Sequence, residues 1–347
     1  MLPCGTYPRS YQEDKAIIRT RLQWILFTAF LVLLFTIPFF LPTRYIGMLN
    51  VAGITLIAVV GLQITTGYCG QINLGQSAFV GIGAYFTAFL ASNYNLPFWI
   101  TVPIGGLGAA AFGAIFGLPA ARIKGFYLAL TTLAATFIFA FVMKRLPGFG
   151  GVAGLELPAA TLGTIRFTTP INFYYLILIT TIVIIFFAYG VVRSRIGRAF
   201  TAIRDNDNAA EILGINVFYY KMIAFLIGTL FAGIAGGLWA YYTRYVETVQ
   251  FTLFESLWYV GILIVGGMGS ILGAILGTFT LRALEELITY SAPALAEIFP
   301  TIGSNIFAAM NVVLGGAIIL MLIFEPKGLV HRWNIIKTSY RIWPFPY

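Results

Sequence analysis

Phe173–Val192 reads FYYLILITTIVIIFFAYGVV, and Arg193–Asn216 continues it as RSRIGRAFTAIRDNDNAAEILGIN. The first stretch is long and apolar enough to cross a bilayer, which takes about 20 such residues in a helix. The second carries Arg193, Arg195, Arg198, Arg204, Asp205, Asp207 and Glu211, and is followed by another apolar run, Phe218–Tyr242. So charged a segment between two oily ones belongs in water, and its arginine excess favours the cytoplasmic side. Segment 193–217 is therefore expected to be a cytoplasmic loop presented to something in that compartment.

Composition extends this reading to the whole chain. Of 347 residues, 59% are hydrophobic and 10% charged, and the mean hydropathy is +0.90. Soluble domains are about a quarter charged, so this surface is not built to face water. Apolar stretches occur at Leu22–Leu41, Leu49–Thr66, Ala78–Ala91, Trp99–Leu118, Tyr127–Val142, Asn172–Val192, Phe218–Tyr242, Leu257–Val265, Ile271–Tyr290 and Ile306–Phe324. The expectation is an all-α polytopic membrane protein: one domain over 1–347, a bundle of about ten transmembrane helices with Gly-broken or re-entrant segments. Residues 1–21 and 325–347 flank it as a cytoplasmic N-terminal segment and tail.

The net charge of +9 is distributed along the chain in a way that argues against nucleic acid. Alternating sides from a cytoplasmic N-terminus leaves only Arg44, Lys144, Arg145, Arg166 and Arg244 outside, with Arg282 inside a segment and the other Lys/Arg on the inner side. That bias orients both termini to the cytoplasm and sets basic residues against anionic lipid. Cys4 and Cys69 fall on the inner side and form no disulfide framework. The first apolar run is too long for a signal-peptide core and reads as a retained helix.

Several chemistries are excluded. There is no GxxxxGK[ST] loop for nucleotide phosphates. The only histidine is His331, and Asp14, Asp205 and Asp207 all fall in predicted aqueous segments, so no metal site or catalytic pair is expected in the membrane. No outer loop is long enough to fold as a solute-capturing domain; the longest is about residues 143–171. A membrane path without engine or receptor reads as one subunit of a larger machine.

Four motifs carry the rest. In the charged loop, Ile196, Ala199, Phe200 and Ile203 share one helical face. Asn208 and Glu211 are spaced as a capping box, and Gly214 offers a left-handed stop. Two short helices, roughly Ile196–Arg204 and Ala209–Leu213, are expected about a polar turn Asp205–Asp207, with Ala209 and Ala210 admitting a partner surface; the alternative is an ordinary solvated loop. Gly67–Tyr85, GYCGQINLGQSAFVGIGAY, interrupts an apolar hairpin with Gln71, Asn73, Gln76 and Ser77. It reads as a path-lining broken helix or as a plain cytoplasmic turn. A related break, GGMGSILG, spans Gly266–Gly273, and small residues recur every fourth position at Gly105–Gly117 and Gly228–Gly236, a helix-packing pattern. Arg282 can pair with Glu285 or Glu286, either at mid-membrane or at the outer boundary.

Together GYCGQINLGQSAFVGIGAY, GLPAARIKGFYLALTTLA, GRAFTAIRDNDNAAEILGIN with the following YYKMIAF, and GGMGSILGAILG resemble the permease subunits of branched-chain amino acid ABC importers, the LivM-type branch, over roughly residues 45–330. The resemblance implies that Gly197–Asn216 is similar to the loop that seats on an ATPase, placing Arg198, Arg204, Asp207, Asn208, Ala209, Ala210, Glu211, Leu213 and Gly214 in a coupling element. It implies a substrate path near Gln71, Asn73, Gln76, Ser77 and Tyr85. The implied partners are two cytoplasmic ATPase subunits holding ATP and Mg, a second, LivH-type permease and an extracytoplasmic solute-binding protein, in a prokaryotic inner membrane. The chain itself would hold no cofactor and would be no enzyme. Gln76 stands where a histidine is frequent, and Phe149–Gly154 follows the usual glycine pattern loosely, so urea and short amides stay open as cargo. The rival reading is a stand-alone ion-coupled transporter using Glu285 or Glu286.

Overall fold

A computed structural model describes residues 21–122, 125–151, 153–162, 165–298 and 306–342. The N-terminal segment up to residue 20, Cys4 included, and the tail beyond 342 lie outside the described residues. The helices are α1 (Arg21–Phe40), α2 (Thr43–Leu62), α3 (Gln76–Tyr94), α4 (Phe98–Arg122), α5 (Phe126–Arg145), α6 (Pro170–Arg193), α7 (Arg195–Asp205), α8 (Asp207–Ile212), α9 (Val217–Thr243), α10 (Leu253–Gly266), α11 (Ile271–Ile298), α12 (Ile306–Phe324) and α13 (Leu329–Ile342). A π-helical turn, Gln63–Tyr68, prolongs α2. The sequence prepares no strands, yet β1 (Leu155–Glu156) pairs with β4 (Tyr245–Val246), and β2 (Ala160–Leu162) with β3 (Ile165–Phe167), both antiparallel. These two short ladders tie off the loops at one end of an otherwise helical bundle.

Each expected apolar stretch falls on a helix. Six described helices are long and apolar enough to cross a membrane: 43–68, 98–119, 127–145, 170–193, 217–243 and 248–266. A seventh arises if 311–324 and 329–339, bent by 45°, make one span. The remaining expected spans differ from these in composition or length. Helix α3 opens on Gln76–Ser77, ends on Asn93–Tyr94 and is buried along most of its length, so no lipid requires it to be uniformly apolar. Helix α11 carries Arg282, Glu285 and Glu286, and α1 contributes only a shorter apolar helix, Trp24–Phe40.

Helix α9 is the axis of the bundle, packing against α4, α3 and α2. Lipid supplies no hydrophobic drive between helices, so close van der Waals approach must hold them together, and small residues permit it. Gly83 faces the Gly233 backbone, Gly105 meets Thr87 and the Gly83 carbonyl, and Gly113 meets Thr229. A Cβ at Gly236 would overlap the Val80 carbonyl, and one at Gly61 would stand 2.5 Å from the Gly228 oxygen. The small-residue repeats are thus spent on packing inside the chain. Around them Tyr85, Phe79, Phe139, Phe225 and Tyr241 are fully buried.

Replacing Gly236 by Ala is expected to lower stability by about 1–3 kcal/mol through overpacking. Gly190→Ala, where nothing lies within 4 Å, should be neutral or stabilising by up to about 1 kcal/mol from helix propensity. Thermal unfolding of the two variants in detergent checks the contrast.

Candidate functional site

The charged loop folds as a helical hairpin. Ser194 caps α7, its hydroxyl accepting from the Ile196 amide at 3.1 Å, and Gly197 packs so tightly on the Val192 backbone that no side chain fits there. The apolar face turns inward: Ala199, Phe200 and Ile203 are buried against the bundle. The expected three-residue turn is a single joint, Asn206. Its side-chain oxygen accepts from the Asn208 and Ala209 amides at 3.0 and 3.1 Å. Asn206 is therefore the N-cap of α8, and Asn208, expected to be the cap, lies within the helix. The correction is chemical: an amide at N-cap reaches the N2 and N3 donors, which Asn208 itself supplies one of. Gly214 ends the hairpin at φ 83°, the left-handed stop expected of it.

Ala210 is also corrected. At 1% exposure it faces the bundle, not a partner. The outward surface of α8 is instead Asn208, Ala209, Glu211, Ile212, Leu213 and Gly214, with Ile212 87% and Leu213 78% exposed. Arg198 is exposed on the neighbouring helix.

The hairpin is bolted to both glycine breaks. Arg204 donates to the Gly67 carbonyl at 3.2 Å and to Asp205 at 3.1 Å. Its side chain runs over Gly70 and beside Gly269, so these two glycines clear space for the arginine. Asp207 accepts from Lys221 of α9 at 2.5 Å, a pair only 21% and 7% exposed. The Lys221 carbonyl accepts from Gln71 at 2.9 Å. A cavity of about 160 Å³ lies among these groups, lined by Cys69, Gly70, Gln71, Gly125, Leu128, Ile203, Arg204, Asp207 and Lys221. Burial pushes the Cys69 thiol, just past the end of the 43–68 span, up to about 11.

In the first break Gln71, Asn73 and Gly75 are buried while Gly70 and Ile72 are exposed. After the π-turn the chain leaves helical geometry at Gly70 and re-enters it at Gln76. Thr66 donates to the Gln71 carbonyl at 2.8 Å, and the Leu74 amide donates to Thr132 at 3.0 Å. Asn73 accepts from the Gly75 amide and donates to Gln76, both at 2.9 Å, and Gln76 donates to the Ala58 carbonyl at 2.8 Å. The Ser77 hydroxyl reaches Ser256 at 2.6 Å and the Thr252 carbonyl at 2.7 Å. Tyr85 lies farther along α3, fully buried, with Phe139 at 5.9 Å. Asn73 and Gln76 thus bond to each other, Gln71 and Ser77 flank them with bonds of their own to α9 and to Thr252–Ser256, and Tyr85 stands apart.

Sequence reasoning missed Gln63, which donates to the carbonyls of Gly267 and Ser270 at 3.0 and 2.7 Å and so joins the first break to the second. Its signal was an amide deep inside the apolar run Leu49–Thr66, well away from Asn50 at the start of that run. At the opposite end Arg282 donates to Glu285 at 2.7 Å and to Thr55 at 2.7 Å, while Arg44 pairs with Glu286 at 2.6 Å. Thr55 sits well inside the 43–68 span, which places Arg282 deeper than the outer-boundary reading. Nothing in the spacing of the sequence points to Arg44 as a partner. Glu255, inside the 248–266 span, lies within electrostatic reach of Arg282 and Glu285 and was also missed. No group of three or more His, Cys, Asp or Glu that could hold a metal occurs among the described residues.

Residues 44–323 match the family described as branched-chain amino acid transport system / permease component. The chain belongs to that family. It is similar to the high-affinity branched-chain amino acid transport system permease protein LivM of Escherichia coli (strain K12), 31% identical over 89% of this chain and 75% of that protein. A probable branched-chain amino acid transport permease protein LivM of Methanocaldococcus jannaschii is 24% identical over 82% and 92%. An autoinducer 2 import system permease protein LsrC of Escherichia coli O9:H4 (strain HS) is 24% identical over 74% and 77%. No solved structure matches the chain. As a member of this family the chain is a membrane permease subunit of an ABC importer, and ATP hydrolysis belongs to separate subunits. That removes the stand-alone transporter.

Two outcomes follow. Asp207→Ala leaves Lys221 buried without its carboxylate and should cost about 3 kcal/mol or more, whereas Asp207→Leu with Lys221→Met should recover most of it; a double-mutant cycle on thermal unfolding measures both. In a Cys4→Ser chain at pH 8, Cys69 should resist maleimide until the protein is denatured, because its pKa of about 11 keeps the thiol neutral.

Proposed function

We propose that this chain imports branched-chain amino acids as half of a permease pair, and that the α7–α8 hairpin receives the stroke of a cytoplasmic ATPase. The observation that supports this reading is the double attachment of the hairpin. Its outer surface offers two exposed apolar side chains, Ile212 and Leu213, while its inner surface is fastened through Arg204 to the first break and through Asp207 to α9. A cytoplasmic helix has no reason to expose adjacent Ile and Leu unless a protein covers them. A rigid hairpin displaced by a partner transmits its motion through the Arg204–Gly67 and Asp207–Lys221 links to the break at 67–76 and to helix α9.

The proposed path for solute runs along that break. Gln71 opens on the inner cavity, and above it Asn73 and Gln76 close the route by bonding to each other and Ser77 by bonding to Ser256 and the Thr252 carbonyl. This is an occluded arrangement: transport requires the network to exchange partners as the break moves. Tyr85 extends the proposed path beyond it. The full assembly on this reading has two ATPase subunits carrying ATP and Mg, a LivH-type second permease and an extracytoplasmic binding protein. About ten membrane helices with cytoplasmic termini in a prokaryotic inner membrane complete the picture.

Ile212→Asp with Leu213→Asp changes two exposed side chains and should leave stability within about 0.5 kcal/mol. ATP-driven uptake of leucine by the reconstituted importer should fall about tenfold or more, equivalent to about 1.4 kcal/mol of lost docking. Undiminished uptake would show that the hairpin is not the coupling element.

A further inference from the structure

At the end of the bundle away from the hairpin, a cleft of about 280 Å³ lies between α2, α9 and α11. Arg44, Arg282, Glu285 and Glu286 line it, together with Met48 and Val51. The lining charges are two of each sign, layered by depth, with Glu255 of α10 within electrostatic reach of the floor. Arg44–Glu286 forms the mouth, with Arg44 53% exposed, and Arg282–Glu285 the floor, with Arg282 15% exposed. Ionisable side chains this far along a span face a bundle interior or a water-filled cavity, because hydrocarbon does not tolerate them. Each pair is a guanidinium beside a carboxylate, and the Nε of Arg282 is a buried donor with no hydrogen-bond acceptor.

We propose that this cleft is a recognition site for a zwitterionic solute, the free α-amino acid itself, on its way from outside to the occluded break. The solute carboxylate accepts from the Arg282 guanidinium, which supplies a planar fork and an unused donor for it. The solute ammonium takes the place of that guanidinium against Glu285. Met48 and Val51 give the apolar side chain a dry wall. A zwitterion repeats, with opposite orientation, the charge pair it displaces, so neither Arg282 nor Glu285 is left bare in the membrane at any stage. A neutral amide, urea or sugar would break the Arg282–Glu285 contact and return no charge to either group. This inference rests on the amino acid import proposed above and adds the site at which the zwitterion is distinguished.

The test introduces Met48→Cys in a Cys4→Ser background and labels the assembled importer from outside with a membrane-impermeant maleimide, the binding protein being omitted. Saturating leucine should slow labelling about tenfold, while 4-methylpentanoate and 3-methylbutylamine, each lacking one charge, should not, as expected for a site that pairs both ends. Adding Arg282→Gln with Glu285→Gln should abolish the protection; if that variant fails to assemble, the comparison of the three solutes on the parent protein carries the test unaided. Failure of leucine to protect an importer that still accumulates leucine overturns the cleft and leaves the proposed function standing. Equal protection by urea, or an introduced thiol that the reagent cannot reach in the assembly even without solute, also overturns it. An importer that accumulates urea but no leucine overturns the amino acid reading and the cleft together.

Discussion

A backbone that leaves the helix inside a membrane protein must have its amides and carbonyls satisfied by the protein, since neither lipid nor bulk water is there to do it. Everything distinctive about this chain follows from meeting that demand between Gly70 and Gln76. Neutral side chains meet it: Thr66 on the Gln71 carbonyl, Thr132 on the Leu74 amide and Asn73 on the Gly75 amide, while Gln63, Gln71 and Gln76 fasten the same segment to carbonyls of the second break, α9 and α2. Because these groups come from α2, α3 and α5 and bind to α9 and the second break, the interruption gathers the bundle around it.

On the coupling proposed above, that arrangement lets the hairpin act at a distance. Arg204 bonds to the end of the π-turn, where the helix has already been loosened, and not to the middle of a rigid helix. Pushing on a helix end that is already broken deforms a few torsions instead of an entire hydrogen-bonded ladder. The Asp207–Lys221 pair adds a second attachment on α9, the helix most extensively packed on its neighbours. One lever thus meets one compliant element and one stiff one, the combination a hinge requires.

How much of this could be read from the sequence depended on the range of the signal. Local patterns were legible: the charged interruption, the inward face Ile196–Ile203, the Gly214 stop and the packing glycines all act within a turn or two of themselves. Cap assignment failed by two residues because Asn206 and Asn208 are chemically the same and only the backbone distinguishes them. Ala210 was misjudged because a six-residue helix does not declare which side meets the bundle. The longest-range links left least trace. Arg44 and Glu286 are 242 residues apart, and Gln63 and Gly267 are 204 apart. A helix largely enclosed by others, such as α3, is freed from the composition that lipid imposes and so gives a weaker signal.

The neutrality of the interior network has an electrical consequence. Moving one elementary charge through a 100 mV membrane potential takes about 2.3 kcal/mol. On the proposed cycle the break exchanges only amides and hydroxyls, and Arg282 and Glu285 of the outer cleft each keep an opposite charge beside them throughout. Rearranging such an interior performs almost no work against the transmembrane voltage. The cell can therefore let its potential rise or collapse without altering the direction in which this conduit relaxes.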